Sequence, residues 1–252
     1  MISRVFELYR RGGLGEVGRG IRDWCFYSPL SRVLCRLYAR RTLEVNGVSV
    51  SFGIRDPESF RRSVGHGETD VIEDFLAHLT DGDVVWDVGA NQGTYSLFAA
   101  KRGAEVHAFE PNPDAYEIIE RNAQRNGVSI QVHRVALGST NDTMVLREAD
   151  RAGTRWIAQE GPGEEVTVRR GDDLQVPPPD VLKIDVEGAE VDVLEGMRSL
   201  LEECRVCYVE IHDDSARAVR DVLRNAGFEI TDLSNEPVRS YVITRGVRGE
   251  PA

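Results

Sequence analysis

The chain has 252 residues, 41% of them hydrophobic and 29% charged, with a formal net charge of −11. That length suits one compact α/β domain with a short appendage, and the composition excludes global disorder. The charge is uneven. Residues 1–41 carry nine arginines against Glu7, Glu16 and Asp23, so the whole acidic surplus lies in the rest of the chain. A body that acidic excludes a general nucleic-acid binder, which needs a basic face.

In chain order, the opening residues MISRVFELYRRGG lack the apolar core and small-residue cleavage site of a secretory signal. With no apolar run of about 18 residues to span a bilayer, the expectation is a cytoplasmic protein. Leu30, Val33, Leu34, Leu37 and Tyr38 recur with helical spacing and make one apolar stripe. Arg32, Arg36, Arg40 and Arg41 surround it, and Trp24, Phe26 and Tyr27 lie just upstream. Residues 24–41 therefore suit either a peripheral contact with the inner face of an anionic membrane or packing on the protein's own sheet or on a dimer partner. Leu43 to Ile54 alternates around Asn46-Gly47 and predicts a hairpin. Val71 to Leu79 is helical in period, with Thr69 or Asp70 as its cap.

From Val84 the pattern alternates strand and helix. Strands are predicted at Val84–Val88, Glu105–Phe109, Ile130–Val135, Val181–Val186, Val206–Ile211, Phe228–Leu233 and Tyr241–Thr244. Helices are predicted from Tyr95 to Lys101, from Pro113 to Arg125, and near 190–203 and 215–226. That rhythm implies a Rossmann-like α/β fold, a mostly parallel sheet with helices on both faces. Residues 143–168 break it and predict an inserted hairpin, closed by Pro177-Pro178-Pro179. The resulting division is an N-terminal basic helical and hairpin extension over 1–68, an α/β domain over 69–246 and a tail over 247–252. Cys204 and Cys207 sit in CRVCYVEIH, which reads as a buried strand. Positions three apart on a strand face opposite ways, so two buried apolar thiols are expected rather than a metal site.

Three segments carry chemistry. Asp87-Val88-Gly89-Ala90-Asn91-Gln92-Gly93 follows the first strand of the rhythm and precedes a helix, where open α/β sheets bind ligands. A dinucleotide site wants G-x-G-x-x-G to hold a pyrophosphate. This loop reads D-x-G-x-x-x-G, and its carboxylate suits a cofactor with an ammonium and a sulfonium, as S-adenosylmethionine has. Glu110-Pro111-Asn112 ends the next strand, where a carboxylate can accept from both ribose hydroxyls. In Lys183-Ile184-Asp185-Val186-Glu187-Gly188-Ala189-Glu190, Asp185 and Glu187 share a strand face, and two carboxylates held together call for a cation nearby. Alternatively, one caps the following helix and the other pairs with Lys183.

VVWDVGANQGTYSL, AFEPNP and LKIDVEGAEVDVLEGM together resemble the FkbM family of S-adenosylmethionine-dependent methyltransferases, over roughly Thr69 to Thr244. The last segment is the most specific of the three. The resemblance implies a class I methyltransferase sheet of seven strands, the last antiparallel, with O-methylation as the usual reaction. It implies that Asp87, Gly89, Ala90, Asn91 and Gly93 form the cofactor loop, and that Glu110, followed by Pro111, holds the ribose. Asp185 would stand beside the amino-acid end of the cofactor or the transferred methyl. Where many methyltransferases place an acidic adenine contact after the third strand, this chain has Val135-Ala136-Leu137-Gly138, which leaves Ala136 as the candidate.

Catalytic candidates are Asp185, Glu187 and His212, the last either a general base or a structural strand-end histidine. Asp185, Glu187, Glu210 and Asp213 offer oxygen ligands for Mg²⁺, but their spacing is not diagnostic and no metal is assigned. The expected partner is a small-molecule acceptor, in particular a glycan or lipid-linked saccharide. Two rivals remain at this level: a nicotinamide-dependent oxidoreductase, and a silent binding module of the same fold.

Overall fold

The computed structural model describes residues 40–55, 59, 68–148, 155–212, 215–233 and 242–248. The apolar stripe at Leu30–Tyr38, the aromatic residues before it and Asp213 lie outside the described residues. Arg40 and Arg41, grouped above with the basic helix, instead open a strand. It is β1 (Arg40–Val45), which pairs with β2 (Val48–Gly53) in a two-stranded sheet. Asn46 and Gly47 turn the chain with φ of 48 and 76, the left-handed pair that the tight hairpin turn requires.

Helix α1 (Thr69–Ala77) begins one residue earlier than a cap at Thr69 would allow; Glu68 holds the N-cap position, with no side-chain cap bond. Then follow β3 (Val84–Val88), α2 (Thr94–Lys101), β4 (Glu105–Phe109), α3 (Pro113–Asn126) and β5 (Gln131–His133). Helix α3 obeys local rules at both ends. Asn112 accepts from the Asp114 N–H, Pro113 occupies the first turn, and Gly127 ends the helix at φ 64.

Beyond the insertion come β10 (Val181–Asp185), α4 (Glu190–Glu195), α5 (Arg198–Glu203), β11 (Val206–Ile211), α6 (Ala216–Asn225), β12 (Phe228–Asp232) and β13 (Val242–Arg248). The main sheet has seven strands in the order β12-β13-β11-β10-β3-β4-β5. Strand β13 runs antiparallel between β11 and β12, and its last residues, Val247 and Arg248, still pair with β11 and β12. The fold is the expected class I methyltransferase sheet.

The predicted helix over 190–203 is two helices. Met197 leaves the helical region, at φ −134 and ψ 31, and the chain passes so close to Gly138 there that a Cβ at Gly196 would stand 1.8 Å from its carbonyl oxygen. The new start of α5 is satisfied by Asp172, which accepts from the N–H groups of Ser199 and Leu200 at 3.1 Å each.

The insertion is also more than a hairpin. Strands β6 (Ala136–Leu137), β7 (Asp142–Glu148), β8 (Arg155–Ala158) and β9 (Glu164–Arg169) form a second sheet in the order β6-β9-β7-β8. Strand β5 therefore ends at His133, and Ala136 belongs to the second sheet, parallel to β9.

One face of the main sheet buries Trp86, Leu182, Ile184 and Val209 against Val193, Leu194, Leu201, Val219 and Leu223 from the helices. Trp86 donates its indole N–H to the Pro177 carbonyl at 2.8 Å, which fixes the prolines to the sheet. Asp180 aligns three strand starts: its side chain accepts from Val84 N–H, and its carbonyl from the N–H groups of Arg205 and Val206. Cys204 and Cys207 are free, fully buried thiols, although Cys204 caps α5 and only Cys207 lies on the strand. Among the described residues no helix is long and apolar enough to cross a membrane.

Candidate functional site

Parallel strands β4, β3, β10 and β11 lie side by side, so the residues at their carboxyl ends share one rim. The glycine loop follows β3. Gly89, Asn91 and Gly93 all have positive φ, at 78, 51 and 79. Gly89 is required twice over: by that conformation, and because a Cβ would lie 2.0 Å from the Asp185 carbonyl oxygen. The loop is thus pressed onto the end of β10, against the acidic motif.

Asp87 is 2% exposed and accepts from Ser96 through both the backbone N–H, at 3.0 Å, and the hydroxyl, at 2.6 Å. Burial raises its carboxyl above the ordinary range, and the Ser96 hydroxyl and the Lys183 charge pull it partly back. It anchors the start of α2, which sequence reasoning missed.

Glu110 is also buried and is clamped from both sides. One oxygen accepts from Asn91 N–H at 2.8 Å, the other from Asn112 N–H at 2.9 Å. These bonds join the end of β4 to the glycine loop and fix the carboxylate plane. Pro111 is a partly exposed turn residue between Glu110 and the helix cap.

The loop fits a polar cofactor. Gln92 Oε1 and Thr94 Oγ1 are buried in it with no hydrogen-bond partner among the described residues, and a native structure rarely leaves such atoms unused. A clamped carboxylate one strand away suits a ribose diol. Ala136 is buried in β6.

On β10 and β11 the side chains converge. Lys183 is fully buried; its ammonium lies 3.9 Å from Asp185 Oδ2 and 3.7 Å from Glu210 Oε2, and 5.0 Å from the centre of the Tyr95 ring. Burial disfavours its charge, but Asp185, Glu210, Glu68 and Asp87 outweigh that and raise its pKa. The other oxygens of the same carboxylates face His212. Its Nε2 is 3.7 Å from Asp185 Oδ1, 3.3 Å from Glu210 Oε1 and 3.9 Å from Glu187 Oε2. Its Nδ1 is 3.0 Å from Glu190 Oε1.

Burial works against a charged imidazole here, yet hydrogen bonds with Glu190 and Glu210 and the charges of Asp185 and Glu187 prevail and raise His212 to about 10. At neutral pH, with nothing else bound, the ring already holds the proton that a general base would take up. Glu187 lies past the strand end, in the bend before Gly188, and its side chain is 39% exposed against 24% for Asp185. Its pKa is raised by burial, lowered by His212, and raised again by the neighbouring carboxylates.

Asp185, Glu187 and His212 are thus together, as expected. The two alternatives for Asp185 coincide in one residue, which faces Lys183 and His212 at once. Glu190, missed as a site residue although it ends the motif, accepts from Gly188 N–H at 3.3 Å and orients His212.

The Methyltransferase FkbM domain matches residues 87–230, more than half of the chain. The hexuronic acid methyltransferase AglP of Haloferax volcanii is 36% identical over 212 residues, which cover 80% of this chain and 87% of that protein. The 31-O-demethyl-FK506 methyltransferase FkbM of Streptomyces tacrolimicus is 44% identical over 68 residues, 25% of this chain and 26% of that one. Among solved structures, a methyltransferase FkbM from Methylobacillus flagellatus superposes with a TM-score of 0.52 at 18% identity, covering 69% of this chain and 46% of that chain. The Pyrococcus abyssi tRNA (uracil-54, C5)-methyltransferase, bound to S-adenosyl-L-homocysteine, gives 0.52 at 17% identity, covering 82% and 43%. The chain spans less than half the length of those two structures, and at such identities the likeness concerns the fold. With sequence, sheet order and loop geometry in agreement, the chain belongs to the FkbM family of S-adenosylmethionine-dependent methyltransferases.

Proposed function

We propose that the protein transfers a methyl group from S-adenosylmethionine to an oxygen, a hydroxyl or carboxyl, of a sugar or a similar polyhydroxylated natural product. The observation that carries this reading is the rim itself: a cofactor-type loop after β3 pressed against an acidic cluster at the ends of β10 and β11. A relative aligned over 80% of this chain and 87% of its own length is named for a hexuronic acid, which supports a saccharide acceptor.

When bound, S-adenosylmethionine supplies an electrophilic methyl on a sulfonium. Glu110 would accept from the ribose hydroxyls, its plane already set by Asn91 and Asn112. Residues 89–93 would cradle the amino-acid end, with Asp87 holding their shape from beneath through Ser96. Asp185 would stabilise positive charge next to the loop. Such a site works mainly by aligning two reactants and excluding water.

The acceptor proton needs a base that faces outward and has a free lone pair. Glu187 fits, as the most exposed carboxylate of the cluster, at 39% against 24% for Asp185, 7% for Glu210 and 0% for Glu190. His212, oriented by Glu190, would then set the position of the carboxylates rather than take the proton.

Isothermal titration tests the cofactor half directly. S-adenosylmethionine and S-adenosylhomocysteine should each bind one site per chain, and NAD should give no heat of binding. Binding of NAD in place of both would overturn the proposal.

A further inference from the structure

The same cluster has a feature that methyl transfer does not require. Asp185 and Glu210 each divide their two oxygens: Oδ2 and Oε2 face the buried ammonium of Lys183, while Oδ1 and Oε1 converge on His212 Nε2. Asp185, Glu210 and His212 each offer one ligand atom, and these three atoms lie within 4.8 Å of one another. Ligands about 2.1 Å from a shared ion stand roughly 3.0 Å apart when at right angles and 4.2 Å when opposite. The distances from Nε2, 3.3 and 3.7 Å, fall between those limits.

The second observation is Glu190. It is 0% exposed, sets its Oε1 on the ring's other nitrogen, and has its Oε2 buried with no hydrogen-bond partner among the described residues. A carboxylate behind one ring nitrogen, with the opposite nitrogen turned toward ligand-grade oxygens, is how metal-bound histidines are held in their tautomer. A buried anion left half satisfied also calls for positive charge ahead of it.

We propose that Asp185, Glu210 and His212 bind a divalent cation of the Mg²⁺ or Mn²⁺ type. Two carboxylate oxygens and one imidazole suit Mn²⁺ well. The ring's Nε2 proton leaves to solvent as the ion takes its place. Such an ion would take neighbouring oxygens of a polyhydroxylated acceptor, and would offset the repulsion between an acidic rim and an anionic sugar. That role, though not the binding, rests on the methyl-transfer reading. Glu187 stays outside the ligand set, as a base must.

The test uses the full chain and Mn²⁺ as probe, followed by electron paramagnetic resonance, with S-adenosylhomocysteine affinity measured on the same samples. Wild type should bind one Mn²⁺ with a ¹⁴N coupling from the imidazole. Asp185→Asn and Glu210→Gln should lose the bound signal, His212→Ala should lose the ¹⁴N coupling, and Glu190→Gln should bind about 10- to 100-fold more weakly. Glu187→Gln should still bind Mn²⁺, which shows that an altered but folded site keeps the ion. Mn²⁺ binding with no nitrogen coupling, or equally tight in Asp185→Asn, overturns the proposal, as does no binding at all. A protein that binds the cofactor product but no Mn²⁺ refutes only the metal. One that binds Mn²⁺ with nitrogen coupling but no cofactor refutes only the methyl-transfer reading.

Discussion

Replacing Lys183 by Met keeps most of the side-chain volume and removes a buried positive charge beneath the acidic rim of β10 and β11. In the wild type that ammonium is fully buried and has carboxylate oxygens at 3.7 and 3.9 Å. Removing one member of a buried ion pair leaves the others uncompensated in a medium that solvates them poorly, which costs about 3–5 kcal/mol. For a domain of this size, ~2–4 °C of melting temperature per kcal/mol converts that to a fall of about 6–20 °C. Urea unfolding gives the free energy and circular dichroism the melting temperature. The sign of the pH dependence also follows. The folded ammonium titrates above its ordinary 10.5, so its stabilisation is complete at neutral pH and is lost only as pH rises through the raised value. The advantage of wild type should therefore persist across neutral pH and shrink above about 10.5. Neutralising the partners as well, in Lys183→Met/Asp185→Asn/Glu210→Gln, should recover at least about 1 kcal/mol, the coupling expected of contacting charges. A Lys183→Met protein within about 1 kcal/mol of wild type would refute the reasoning.

Other outcomes are expected elsewhere. Glu110→Gln sets an amide N–H against one of two backbone donors; cofactor affinity should fall by about 1.5–3 kcal/mol, or about 10- to 150-fold, in titration calorimetry. Gly89→Ala forces a side chain into both a φ of 78 and the Asp185 carbonyl; strain and overpacking of about 1–3 kcal/mol each should lower the melting temperature and abolish cofactor binding. Burial pushes the Cys204 thiol up to about 12 and Cys207 upward as well. Peptide mapping after native iodoacetamide treatment at mildly alkaline pH should find both unlabelled, and rapid labelling of either would contradict the packing.

The sheet was legible because its signals are local and repeated. Strand and helix periods alternate, and glycine and proline mark the joins, so the strands of a mostly parallel sheet follow; that the last strand runs antiparallel comes from the resemblance to the FkbM family. The misreadings share a cause, contacts between residues distant in sequence. Nothing near Gly196 announces that the Gly138 backbone lies against it, so one long helix was expected where α4 and α5 stand. Ala136-Leu137 looks like the tail of a strand until β9, some 30 residues later, supplies its partner. At the site, the motif drew attention to Asp185 and Glu187, but the charge state of His212 depends on Glu190 and Glu210 closing on it from two elements. An unperturbed imidazole suggests a base; the assembled cluster raises its pKa to about 10 and makes it a cation at neutral pH. Glu190 had a signal that went unused, as the last carboxylate of the same short motif, two residues after the Gly188 turn.

The central claim is methyl transfer to an acceptor oxygen, and isotope tracing measures it most directly. The protein, S-adenosylmethionine carrying a trideuterated methyl group, and a panel of hexuronic acid glycosides and neutral sugars would be incubated with Mg²⁺, and the products mapped by mass spectrometry. The account predicts one trideuteromethyl group on a hydroxyl or carboxyl oxygen of a saccharide, with the label lost in Asp185→Asn and in Glu110→Ala. Label on carbon or nitrogen, or a labelled saccharide formed equally well by Asp185→Asn, would contradict it.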